Sequence, residues 1–253
     1  MSSTRFSAVA DTLTQCLHLS AAPVAISFAD SLPEGISSHA GRVAAGCRFW
    51  QDGATAAFAT TASDHDLCSI GIYTHHLEAT PAQQSELMAA LKIYGQLDYV
   101  REEDIAMIPV LEKQHSHVVY APLAETPLVP DVVLLFVNAN QTLILSEAVQ
   151  QVEHQSAPAL GRPACAVIPQ VMNSGRAAVS LGCCGARAYL DVLNEGNALF
   201  ALPGAKIETY ADRVEALSKA NEVLSQFHLL RRRDVNAGMT PTIEQSLAAM
   251  QSA

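Results

Sequence analysis

Pro23-Val24-Ala25-Ile26-Ser27-Phe28 and Pro130-Asp131-Val132-Val133-Leu134-Leu135-Phe136 are the two stretches on which the fold turns. Each opens at a proline, which is tolerated at the first residue of a strand. Each then runs on with little polar alternation, the pattern of a strand buried on both faces. After each stretch the chain repeats one order: a cysteine beside a helical pattern, a glycine, an alanine-rich strand and a second cysteine. In the first copy these are Cys47, Gly53, residues 54–61 and Cys68. In the second they are Cys165, Gly175, residues 177–181 and Cys183. The expectation is an α+β fold of two pseudo-symmetric halves, each strand–helix–strand with two cysteines, forming one entwined globular unit. The N-terminal half spans residues 1–125 and carries an inserted helix. The C-terminal half spans residues 126–253 and closes on a further helix.

Outward from the two strands, Phe6, Val9, Leu13 and Leu17 recur at three- and four-residue spacing and predict an amphipathic helix over residues 3–19. The first strand covers residues 22–29, a loop residues 30–39 and a short helix residues 43–52. Thr80-Pro81 with Gln83 is a helix-start signal, and that helix runs to Gly95. Residues 105–111 and 118–122 are expected strands. Pro122, Pro127 and Pro130 then mark a short hinge-like connection. In the second half, strands are expected over 132–137, 176–181 and 198–202, and helices over 143–151, 165–172, 189–193, 210–230 and 243–250.

Of 253 residues 49% are hydrophobic and only 16% charged, which places the chain among compact globular proteins. A net charge of −10 argues against a nucleic-acid surface. Arg231-Arg232-Arg233, the one basic run, ends a helical pattern and suits helix-terminal solvation. No apolar run reaches the ~18 residues of a membrane span, and the N-terminus lacks a basic-then-apolar leader. These features predict a cytoplasmic protein whose six cysteines are reduced or metal-bound.

If the two halves pack together, Cys47, Cys68, Cys165 and Cys183 meet as four soft ligands, suited to an iron–sulfur cluster of the four-iron type or, alternatively, to zinc. Glycines beside them (Gly46, Gly71, Gly182, Gly185) let the main chain approach the sulfurs and aim amides at them. No C-x-x-C spacing occurs, so the ligand set rests on convergence of distant residues. Cys184 is a substitute ligand for Cys183, and Cys16 packs the first helix. His65, His75 and His76 fit a polar turn before the helix at Thr80, or a Cys/His metal site. Arg187 is positioned to hold an anion or lower a thiol's pKa, or else pairs with Asp191 at i+4; Trp50 walls a pocket or packs the core.

Residues 19–28, Cys47, Cys68 with Gly71, Gly161-Arg162-Pro163-Ala164-Cys165 and Ser180-Leu181-Gly182-Cys183-Cys184-Gly185-Ala186-Arg187 together resemble the prokaryotic family catalogued as domain of unknown function 169. The likeness runs over roughly residues 10–205. Many family members carry a further cysteine where this chain has Ala186, which makes Cys184 a stand-in. The resemblance implies a cytoplasmic prokaryotic protein and assigns no reaction. The leading expectation is therefore a cluster-binding protein with a redox or electron-transfer role and a redox partner. The alternatives are a thiolate-dependent enzyme for a small anionic substrate and a zinc or small-molecule binding module. A homo-oligomer is compatible with each, and neither nucleic acid nor membrane is an expected partner.

Overall fold

A computed structural model describes residues 2–183, 185–189, 192–194 and 196–251. Along the first part of the chain run α1 (Ser2–Leu17), β1 (Val24–Ala29), α2 (Arg48–Gly53), β2 (Phe58–Thr60), α3 (Ser69–Thr74), α4 (Pro81–Gln96), α5 (Glu102–Ile105) and β3 (His117–Pro122). The second part adds β4 (Val132–Val137), α6 (Ala139–Glu153), β5 (Ala159–Leu160), α7 (Val167–Ser174), β6 (Ala178–Ser180), β7 (Ala198–Pro203), α8 (Ile207–Asn236) and α9 (Ile243–Gln251).

All seven strands form one sheet in the order β2-β3-β1-β4-β7-β6-β5. The two stretches that opened the sequence reading, now β1 and β4, are its adjacent central strands. They run antiparallel with Val24 opposite Leu134 and Ile26 opposite Val132. Reading outward, β1 leads to β3 and β2, and β4 leads to β7 and β6. Among the described strands only β5–β6 is a parallel pair.

Helices cover both faces, so every residue of β4 and β7 is buried. Val24, Ile26, Val132, Leu134, Leu199 and Ala201 face one layer, with Phe49, Trp50, Val167 and Ile168. Ala25, Val133, Leu135, Phe200 and Leu202 face the other, with Phe6, Leu13, Leu145 and Tyr210 of α1, α6 and α8. The period-2 geometry of a strand thus sends alternate apolar side chains to two separate cores.

Main-chain contact also ties the start of β4 to the end of β7. Gly204 N–H donates to Asp131 O at 2.9 Å. A Cβ at Gly204 would lie 1.7 Å from Pro130 O, so only glycine fits there.

Several expected elements differ from the structure. Residues 105–111 are not a strand. Asp104 accepts hydrogen bonds from the Arg101 guanidinium at 2.8 and 2.9 Å, closing a helical turn instead. Farther on, Leu111 N–H goes to Thr74 O at 2.9 Å. The strand expected over 54–61 shortens to Phe58–Thr60, because Thr55 N–H, Thr55 Oγ1 and Ala56 N–H all donate to Asp52 O and prolong the end of α2. The helix expected over 189–193 falls partly outside the described residues; before it stands a single π-helical turn, Gly185–Tyr189. No helix among the described residues is long and apolar enough to cross a membrane.

Candidate functional site

Cys47, Cys165 and Cys183 pack against the core layer that holds Trp50. Cys47 sits at the N-terminal cap of α2 and Cys68 at that of α3. Cys165 lies in the 3-10 turn Ala164–Ala166 that leads into α7, and Cys183 in the turn after β6. All four line one cavity of about 690 Å³. Its remaining wall is mainly apolar, including Trp50, Leu91, Val100, Ile108, Pro163 and Ala164.

Small residues make the deep wall. A Cβ at Gly46 would lie 2.7 Å from His65 Nδ1, and one at Gly71 would lie 2.9 Å from Cys68 Sγ. The amides of Gly46 and Gly71 hydrogen-bond Cys68 and pull its pKa down. Burial acts the other way and wins, leaving the Cys68 thiol above its ordinary value. Burial likewise pushes Cys47 up to about 12, with repulsion from Cys68 and Cys183 adding to it. Cys165 is held well above its ordinary value by burial first and Cys68 second, although Thr74 Oγ1 lies 3.2 Å from its sulfur. At neutral pH these three are thiols. A nucleophilic thiolate is therefore not preformed at any of them.

His75 is 2% exposed, lines the cavity, and has no hydrogen-bond partner for either ring nitrogen among the described residues. Burial pulls its pKa down to about 3, and that of His65 to about 4. The two rings pack edge to face at 6.0 Å, so both are neutral imidazoles. His76 instead ties to the Leu111 carbonyl through Nδ1 at 2.8 Å.

Trp50 is fully buried in the core and also forms part of the cavity wall. Arg187 does not line the cavity. Its guanidinium donates to the carbonyls of Leu181, Asn194 and Asn197 and so ties the Gly-Cys turn to the chain before β7. Asp191, its expected partner, and Cys184, the expected substitute ligand, lie outside the described residues.

Sequence reasoning gave no role to the residues at the cavity mouth. Arg162 is the one Lys or Arg on the wall among the described residues, and Glu86 the one carboxylate. The Arg162 guanidinium lies 3.5 Å above the ring of Tyr99 and its Nη1 donates to Tyr99 O at 3.3 Å. Only the Arg162-Pro163 pair ahead of Cys165 hinted at this position in sequence.

The expected metal centre is corrected by the geometry. Among the described residues no group of three or more His, Cys, Asp or Glu side chains could hold a metal ion. The cysteines are spread around the wall of a wide, mainly apolar cavity. This overturns the reading of the chain as a four-cysteine iron–sulfur protein with a redox or electron-transfer role.

Neither a curated protein nor a solved structure matches the chain. The family model for domain of unknown function 169, described as an uncharacterised ArCR, matches residues 12–213. That span holds the whole sheet and every residue of the cavity wall, and on it the chain belongs to the domain of unknown function 169 family.

Proposed function

We propose that this chain is a small-molecule binding protein whose ligand seats an apolar body in the cysteine-lined cavity. The observation that carries the reading is the cavity itself. Its volume of about 690 Å³ lies inside the range of roughly 300–1,000 Å³ of ordinary small-molecule sites. Its apolar wall holds a few polar groups, among them the unpartnered His75 ring. Neutral thiols behave there as small, polarisable apolar groups, suited to contact with an aromatic or aliphatic ligand.

The wall also bears on the internal repeat. We read residues 1–125 and 126–253 as related halves, and the mirrored strand order about β1–β4 supports it. On that reading the cavity forms where equivalent cysteine-bearing turns of the two halves face one another. Binding, rather than covalent chemistry, then explains why sulfurs from both halves are buried yet protonated.

The test uses the neutral dye N-phenyl-1-naphthylamine, whose emission rises in apolar surroundings. Saturable 1:1 binding to the purified chain is the expected result. Ala90→Trp, which places an indole into the cavity from its rim, should abolish it, whereas Ala220→Trp on the exposed face of α8 should not. Absence of saturable binding, or equal binding by both variants, would refute the proposal.

A further inference from the structure

The segment between α3 and β3 arches over the cavity, and its packing is unlike the rest of the molecule. Glu86, Ala90 and Tyr94 recur every fourth residue on α4 and all line the cavity, as do Tyr99, Val100 and Ile108. Yet among the described residues between Gln83 and Leu111 none is buried. Met88, Leu97 and Met107 lie 64–71% exposed. A stretch with no buried anchor opens at low free-energy cost compared with the core.

Both ends of the stretch are pinned. At one end Gln83 Nε2 donates to Ala62 O at 2.9 Å and to Asp66 Oδ1 at 2.8 Å. At the other, Asn173 Nδ2 donates to Val110 O at 2.7 Å, and Leu111 N–H to Thr74 O. Midway, Arg162 reaches across from the opposite wall to stack on Tyr99 and to hydrogen-bond its carbonyl. Arg162 has no carboxylate partner among the described residues, although it is exposed and lines the cavity.

Resting on the binding reading above, we infer that the ligand carries an acid group recognised by Arg162, and that residues 84–110 are a lid which Arg162 latches through Tyr99. The chemistry permits both roles at once. A guanidinium stacks through its planar face and donates through its edge, so a carboxylate, sulfonate or phosphate meets N–H groups that the stack leaves available. An acid group on the ligand therefore adds a second tie to the latch and holds the lid closed. Glu86, the one carboxylate on the wall among the described residues, disfavours an acid group seated beside it.

Two dyes with one body separate the steps: neutral N-phenyl-1-naphthylamine and its sulfonated relative 8-anilinonaphthalene-1-sulfonate. Arg162→Ala should weaken the sulfonated dye about tenfold more than it weakens the neutral dye, the scale of one charge-assisted hydrogen bond. Arg162→Lys should recover part of the sulfonate affinity but not the planar stack. By hydrogen exchange with mass spectrometry, peptides within 84–110 should exchange faster in unliganded Arg162→Ala than in the parent. The sulfonated dye should slow them in the parent and not in the variant. Equal weakening of both dyes, or lid exchange indifferent to Arg162, would overturn the inference while normal binding of the neutral dye left the cavity reading standing. Failure of the neutral dye to bind the parent chain would instead remove the reading beneath it.

Discussion

Thr74 Oγ1 lies 3.2 Å from Cys165 Sγ, a contact between residues 91 positions apart that joins the end of α3 to the turn before α7. The same hydroxyl lies 3.0 Å from Ile70 O and, having one proton, cannot donate to both. When it donates to the Cys165 sulfur it favours the thiolate, an effect that burial outweighs. Thr74→Val keeps the shape and removes both bonds. Chemical denaturation should show a loss of about 1 kcal/mol, the net worth of a buried neutral hydrogen bond. A variant as stable as the parent would remove any structural role for this contact.

Thiol reactivity should follow burial. In the native chain, iodoacetamide at pH 7 should label Cys47, Cys68 and Cys165 far more slowly than the unfolded chain, read by peptide mass spectrometry. For Cys47 the rate should rise about tenfold per pH unit and reach no plateau below about pH 12, because its pKa is pushed up to about 12. A plateau near pH 9 would contradict the electrostatics described above.

Acid should weaken the fold through His65 and His75. Both have folded pKa values pulled below the unfolded value of about 6.5 by burial. The unfolded chain therefore binds their protons first. Their contribution is complete above about pH 6.5, shrinks as pH falls, and is gone only below about pH 4 for His65 and about pH 3 for His75. His75→Phe retains the ring beside Phe28 and removes one titrating group. Its stability between pH 6.5 and 4 should fall less steeply than the parent's, measured by urea midpoints across that range.

Gly204→Ala should be among the most damaging small substitutions in the chain. The added methyl would meet Pro130 O at 1.7 Å, and the β4–β7 pair must shift to relieve it. A loss of ~3 kcal/mol or more is expected, at the upper end of overpacking effects. Thermal unfolding of the variant checks it, and an unchanged midpoint would contradict the close approach.

The sheet was legible because β1 and β4 are continuous apolar runs, and burial on both faces imposes that pattern locally. The sequence carried less about short strands. Ala159–Leu160 of β5 is held by its parallel partner β6 and has no periodicity of its own. The cavity was half legible. The cysteines stood out as a residue type, and all four prove to line one cavity. Their softness, however, suggested a metal, and only the spacing around the cavity could speak against one. Arg187 drew attention because it sits beside the Cys183 turn in sequence. Arg162 did not, because its meaning depends on Tyr99, 63 residues away. An exposed arginine and a half-buried tyrosine carry no local signal that they will meet.

α1 packs on the middle of the chain, at Leu123 and Leu145, and on α8 near its far end. Arg5 pairs with Glu208, Gln141 Nε2 donates to Leu17 O at 2.8 Å, and Ser218 Oγ donates to Cys16 O at 3.1 Å. During synthesis α1 emerges before either region, and it gains Glu208 and Ser218 only after most of the polypeptide has left the ribosome. A nascent chain stalled before residue 200 lacks α8, so the part of the Phe6, Leu13 and Leu17 stripe that Tyr210 and Val214 cover stays open to any chaperone nearby.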